Sequence, residues 1–365
     1  MFARRKLLAG LLLAVAACKG NQAAPAPAGS SPAAAEPKKD ESISLNGAGA
    51  TFPFPLYSKW ISEYNKENPL VKINYQSIGS GGGIRQIIAG TVDFGATDAP
   101  MKEEEAKLAP GKLFHIPATI GAVVVAYNLP EVKTTLKLAP EVLVAIYQGK
   151  IRKWNDAKIK ADNPEVKLPA NEISVVYRTD GSGTTAVFTD YLSKISAEWK
   201  EKIGAGKSVA WPIGLGSKGN EGVTGQVKTT PYTIGYIERA YASQNKLPMI
   251  ELKNKSGKFV APTIEAMSAA ADAVVMPDEL FVSLSNAEGE AVYPITSYSY
   301  LLVYENAKDP IKGEALAKYV WWGLHDGQKY SKDLDYAPIP AKVLTQVEAR
   351  LKELRSGDKK LLSGA

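Results

Sequence analysis

The chain of 365 residues holds one cysteine, Cys18, and two histidines, His115 and His325. A single cysteine excludes an internal disulfide, so packing alone must hold the fold. Two isolated histidines and one early cysteine are too few soft ligands for a dedicated transition-metal centre, and no cofactor motif accompanies them. Neither histidine lies near a candidate nucleophile in sequence, and both read as structural residues. Long hydrophobic runs are also scarce. Residues 7–17 form an apolar run after Arg4-Arg5-Lys6, too short to persist as a membrane-spanning helix, and no other run approaches membrane-spanning length. Nor is there a strong excess of one charge. The net charge is +6, and removing a leader that carries three cations and no acid leaves +3. That surplus suits attraction of small anions and is too diffuse for a nucleic-acid surface.

What is present begins with that basic and apolar start, which reads as a secretory leader over residues 1–17. Val15-Ala16-Ala17-Cys18 resembles the lipobox of bacterial lipoproteins, which implies that Cys18 becomes a lipidated first residue anchoring the protein to a bacterial membrane. Residues 18–42 are mostly Ala, Pro, Gly and Ser without apolar periodicity, and are expected to be a flexible tether reaching some 70 Å when extended. The rest, in a chain that is 45% hydrophobic and 22% charged, is long enough for two compact domains.

One unit recurs along it. Ile43 and Leu45 open a strand that runs into Gly47-Ala48-Gly49-Ala50-Thr51-Phe52-Pro53, and Leu56, Tyr57, Trp60, Ile61 and Tyr64 then recur at helical spacing. Val71, Ile73 and Tyr75 alternate as a strand ahead of Gly79-Ser80-Gly81-Gly82-Gly83 and a second helix. A short strand over 92–94 leads into Gly95-Ala96-Thr97-Asp98-Ala99-Pro100. The β-branched run 173–176 precedes Arg178-Thr179-Asp180-Gly181-Ser182-Gly183-Thr184 and a helix marked by Val187, Phe188, Tyr191 and Leu192. Repeated βα units predict α/β architecture, mostly parallel sheets flanked by helices, with the Gly-rich turns gathered at the carboxyl ends of the strands. Free N–H groups at helix starts make such turns anion cradles. The apolar stretches 114–127 and 294–304 are expected to cross between domains, giving one lobe of 43–120 plus 297–365 and a second of 121–296. Residues 199–225 read as surface loop with short helical pieces.

Two catalytic alternatives fail on spacing. No Lys-Ser or Lys-Thr follows the 79–83 turn as a Walker A loop requires, and Asp180 stands where the first glycine of a nucleophile elbow should be. Asp98, beside Ala99-Pro100, could simply cap a helix, and Asp180 could cap or orient Arg178. The Trp321-Trp322 pair, at helical spacing with Leu316, Tyr319 and Val320, reads as core.

The turn motifs around Thr51, Ile78-Gly79-Ser80, Asp98 and Asp180-Gly181-Ser182-Gly183-Thr184 together resemble the periplasmic phosphate-binding proteins of bacterial phosphate ABC importers. Ile146-Tyr147-Gln148-Gly149-Lys150-Ile151, Trp211-Pro212-Ile213-Gly214 and Tyr293-Pro294-Ile295-Thr296-Ser297 extend the likeness over about residues 44–350. The resemblance implies a type II-like, two-lobe periplasmic binding protein fold with two crossover hinge strands. It further implies a monomeric receptor that is not an enzyme, lies in the periplasm or at the cell surface, and delivers phosphate to ABC permease subunits. Carried over by motif position, Thr51, Phe52, Ser80, Asp98, Arg178, Ser182, Gly183 and Thr184 are expected to bind the anion, with Asp180 in support. Asp98 would accept the hydrogen that phosphate retains and sulfate lacks. Gly81 departs from the pattern, standing where a second Ser is expected. The same fold could serve another oxyanion, such as sulfate, molybdate or a phosphonate, or a surface phosphate sensor; an extracellular hydrolase of phosphate esters is the reading from another class.

Overall fold

Two strand–turn–helix units in succession build one flank of the molecule. The computed structural model describes residues 42–362; the expected leader, Cys18 and the tether up to residue 41 lie outside them. Strands β1 (Ile43–Gly49) and β2 (Val71–Ser77) pair in parallel from Ile43–Val71 to Gly49–Ser77, because the helix Phe54–Glu67 returns the chain between them. That helix buries Leu56, Tyr57, Trp60 and Tyr64, the stripe a 3.6-residue period places on one face. After the helix Ser80–Ile88, β3 (Phe94–Thr97) joins the other side of β1, also in parallel.

The next strand, β4 (Leu113–Tyr127), is fifteen residues long and buried beyond its first residue. The second flank follows: β5 (Ser174–Arg178), β6 (Leu215–Ser217) and β7 (Thr233–Glu238), with β5 parallel to both of its neighbours. Last comes β8 (Thr296–Tyr304), and the full order is β2-β1-β3-β8-β4-β7-β5-β6. The parallel pairing expected from the βα units holds in both flanks. The middle is antiparallel: β8 pairs with β3 and with β4, and β4 pairs with β7 over Val123 to Tyr127. The sheet is thus a mixed, curled one flanked by helices.

The region expected as surface loop with short helical pieces, 199–225, does hold helix, and a strand besides. It holds part of the helix Ala197–Lys202, then β6, then the start of the helix Gly219–Thr229. Asn220, Val223, Thr224 and Val227 recur at helical spacing and bury one face of that last helix. In the same flank the Phe188 and Tyr236 rings stack at 4.4 Å and 10°, fixing the helix Gly183–Ile195 over β7. Trp322 is buried in the core and Trp321 stacks on His325. Among the described residues, no helix is long and apolar enough to cross a membrane.

Candidate anion-binding site

Each turn that ends a parallel strand delivers one piece of the site. Thr51 and Phe52 follow β1, Ser80 follows β2 and opens a helix, and Asp98 follows β3 directly. From the other flank, Arg178 ends β5, and Ser182 caps the helix Gly183–Ile195 by accepting from the Thr185 amide at 3.0 Å. Thr51, Phe52, Ser80, Asp98, Arg178, Ser182 and Thr184 are all buried.

The structure brings these residues together. The Asp98 amide donates to Ser80 Oγ at 3.2 Å. A Cβ at Gly183 would collide with Ser80 Oγ and with the Asp98 carboxylate, so the two flanks approach as closely as a missing side chain permits. Gly79 has φ +88°, and its own Cβ would strike Asp180 from the opposite flank. Nearby, the Gly81 amide donates to Gly181 O at 2.7 Å, a backbone link where the resembled pattern has a serine. Phe52 enters through its main chain: its carbonyl accepts from Tyr336 Oη at 2.6 Å, while its ring lies against Gly121.

Arg178 and Asp180 form a bidentate pair, Nε to Oδ1 at 2.8 Å and Nη2 to Oδ2 at 2.5 Å, with Nη1 reaching Thr184 Oγ1 at 3.4 Å. Asp180 thus lies against Arg178, while the helix Gly183–Ile195 is capped by Ser182. Burial would raise the Asp180 carboxyl, but the Arg178 fork and the Gly219 amide more than offset it and hold it below the ordinary range. Burial likewise opposes the charge on Arg178, and Asp180 reverses that too.

Asp98 has no cation within ion-pair distance among the described residues. Burial pushes its carboxyl up to about 7, against the pull of the Ser299 hydroxyl, the more distant Arg178 charge and Ser80. It can therefore accept or donate a hydrogen near neutrality. Around it stand hydroxyls and helix-start amides with little net charge, a set able to replace water around an oxyanion and to release it again.

Several contributors escape a reading by local pattern. Asn220 joins Thr51 to Thr184, Ser299 holds Asp98, and Tyr236 contacts both the Arg178 amide and Thr185 Oγ1. The signals were faint: Asn220 sits in a glycine-rich stretch, and Ser299 follows Thr296 and Ser297 in a strand whose tyrosines and leucines dominate the reading. The histidines are structural in their contacts, His115 Nε2 accepting the Met101 amide and His325 touching Trp321 O and Glu348. Burial pushes His115 down to about 4, so it stays neutral. No group of three His, Cys, Asp or Glu that could hold a metal occurs among the described residues.

A family model described as the PBP superfamily domain matches residues 26–324. The phosphate-binding protein PstS of Pasteurella multocida is 48% identical over 87% of this chain and 93% of its own length. That of Haemophilus influenzae is also 48% identical, covering 85% and 92%. Among solved structures, a phosphate-binding protein from Stenotrophomonas maltophilia superposes with a TM-score of 0.63 over 84% of this chain and 94% of its own, at 15% identity.

Proposed function

The chain belongs to the PBP superfamily and, within it, to the phosphate-binding proteins, and from that premise we propose that it captures inorganic phosphate between its two flanks. It acts as a receptor rather than an enzyme, and hands phosphate to the permease subunits of an ABC importer. In this reading, residues 43–120 with 297–365 make one lobe and 121–296 the other. Thr51, Ser80, Ser182 and Thr184 donate through hydroxyls, Phe52 and Gly183 through amides, and Arg178 supplies the one cation. The protein works as a monomer in the periplasm or at the cell surface, tethered through a lipid on Cys18.

The observation that carries the choice of ligand is Asp98, a buried carboxyl that accepts from the Ser299 hydroxyl, lies beside Ser80 and Gly183, and has no cation in contact among the described residues. Phosphate keeps a hydrogen at neutral pH that such a carboxylate can accept. Sulfate keeps none and would leave two negative groups opposed without a hydrogen between them. Because an unpaired buried polar group costs about 1–3 kcal/mol, more when charged, one residue suffices for strong discrimination. Calorimetric titration of the protein with phosphate, arsenate and sulfate is the test. Phosphate should bind, arsenate should compete, and sulfate should give no saturable heat at equal concentration; sulfate binding as tightly as phosphate would remove this reading.

A further inference from the structure

A threonine hydroxyl donates or accepts with equal ease, so a site that needs Thr51 and Thr184 as donors must commit them. Asn220 does this from behind. Thr51 Oγ1 accepts two hydrogen bonds from it, one from the main-chain amide at 3.2 Å and one from Nδ2 at 2.8 Å. Thr184 Oγ1 accepts from the same Nδ2 at 3.1 Å and from Arg178 Nη1 at 3.4 Å. With both lone pairs of each oxygen engaged, each hydroxyl hydrogen has to be given to something else. No hydrogen bond donated by either hydroxyl is found among the described residues.

The amide of Asn220 cannot turn over without loss. Its Oδ1 accepts the Glu238 amide at 2.9 Å, and that group can only donate, which fixes Nδ2 toward the two threonines. All three polar functions of this buried side chain are thereby used inside the site. Tyr241 works in the same direction: its hydroxyl donates to the Thr51 carbonyl at 2.6 Å, polarising the peptide whose N–H belongs to Phe52.

We infer that Asn220 is a positioning residue for phosphate recognition, one that makes donors of Thr51 and Thr184 and leaves acceptance of the ligand's hydrogen to Asp98. The inference rests on the phosphate reading above. Thr51 follows β1 in one flank, whereas Asn220 opens the helix after β6 in the other. The commitment of Thr51 is therefore made between the flanks, and only when they are together, whereas that of Thr184 is made within the second flank.

The test is calorimetric titration with inorganic phosphate of the parent, Asn220→Ala, Asn220→Asp, Thr51→Val and the Asn220→Ala/Thr51→Val double variant. Asn220→Asp keeps the shape and the Glu238 contact but puts an acceptor where Nδ2 stood. The hydroxyls should turn toward it, and phosphate should bind about 100-fold more weakly; Asn220→Ala should lose about 10-fold to 30-fold. In the Thr51→Val background, Asn220→Ala should cost clearly less than it costs alone, because one of the two hydroxyls it serves is gone. A merely structural asparagine would give losses that multiply. Independent losses in the double variant, or Asn220 variants within threefold of the parent, overturn the inference while leaving phosphate binding intact. A parent that binds no phosphate overturns the underlying reading instead. If Asn220→Asp does not fold, the Ala cycle decides the matter by itself.

Discussion

Asp98 and Asp180 occupy comparable places in the two flanks, each in the turn that follows a parallel strand, each largely removed from water, and each close to a glycine of the opposite flank. Their acidities move in opposite directions. Asp98 is pushed up to about 7, while Asp180 is held below the ordinary carboxylate range. Burial is common to both; the partner differs. Asp180 faces the fork of Arg178 and the Gly219 amide, whereas the Asp98 carboxyl faces the hydroxyl of Ser299, its own main-chain amide donating to Ser80 Oγ. The lesson is that one flank has a charge that is balanced before any ligand arrives, and the other holds a carboxyl whose proton state is left for the ligand to settle.

The comparison breaks most visibly at Arg178. Replacing it with Met removes the only cation in the donor set and leaves Asp180 a buried charge without its counterion, a change of about 3–5 kcal/mol. Phosphate affinity measured by calorimetry should fall about 1000-fold, and the melting temperature of the free protein should fall with it. A loss below tenfold would mean that the pair serves the scaffold and not the anion.

Asp98→Asn sharpens the contrast from the other side. Asn presents both a donor and an acceptor, so phosphate should weaken by about 10-fold to 100-fold while sulfate gains relative to it. An unchanged phosphate-to-sulfate ratio in competition titrations would exclude Asp98 as the source of selectivity.

The smallest effect is on stability in the absence of ligand. The folded Asp98 carboxyl titrates above its unfolded value of 3.8, so the folded state takes up a proton. Its contribution is complete below about pH 4 and is lost as pH rises through about 7. Asp180 has the reverse sign, contributing above its unfolded value and losing that contribution as pH falls. Asp98→Asn should therefore gain on the parent in melting temperature, by a few degrees, as pH goes from 5 to 8. A constant offset between the two proteins across that range would show that Asp98 stays ionised throughout.

Much of this arrangement was legible because it is local. Strand, Gly turn and helix follow one another within some twenty residues, and Arg178 and Asp180 are two positions apart. The parallel flanks and the gathering of their turns follow from that order. What could not be read depends on contacts between distant segments. Asn220 meets Thr51 across 169 positions and Ser299 meets Asp98 across 201, and neither leaves a periodic trace. The antiparallel middle of the sheet was hidden for a related reason: β8 enters it after a long excursion, and nothing in its apolar run declares which neighbour it will choose. The helix Gly219–Thr229 was missed because its glycines lower the propensity signal while tertiary burial of Val223 and Val227 overrides it.

The unbroken course of β4 has a mechanical meaning. Its earlier residues run in ladder with β8, and Val123 to Tyr127 run in ladder with β7. Halves joined by slack loops could wander apart in any direction, but halves that share a hydrogen-bonded strand keep only the soft modes of that strand, which are bend and torsion. Under the two-lobe reading proposed above, opening is expected to bend this shared strand near Ala122 and Val123, where its partner changes from β8 to β7.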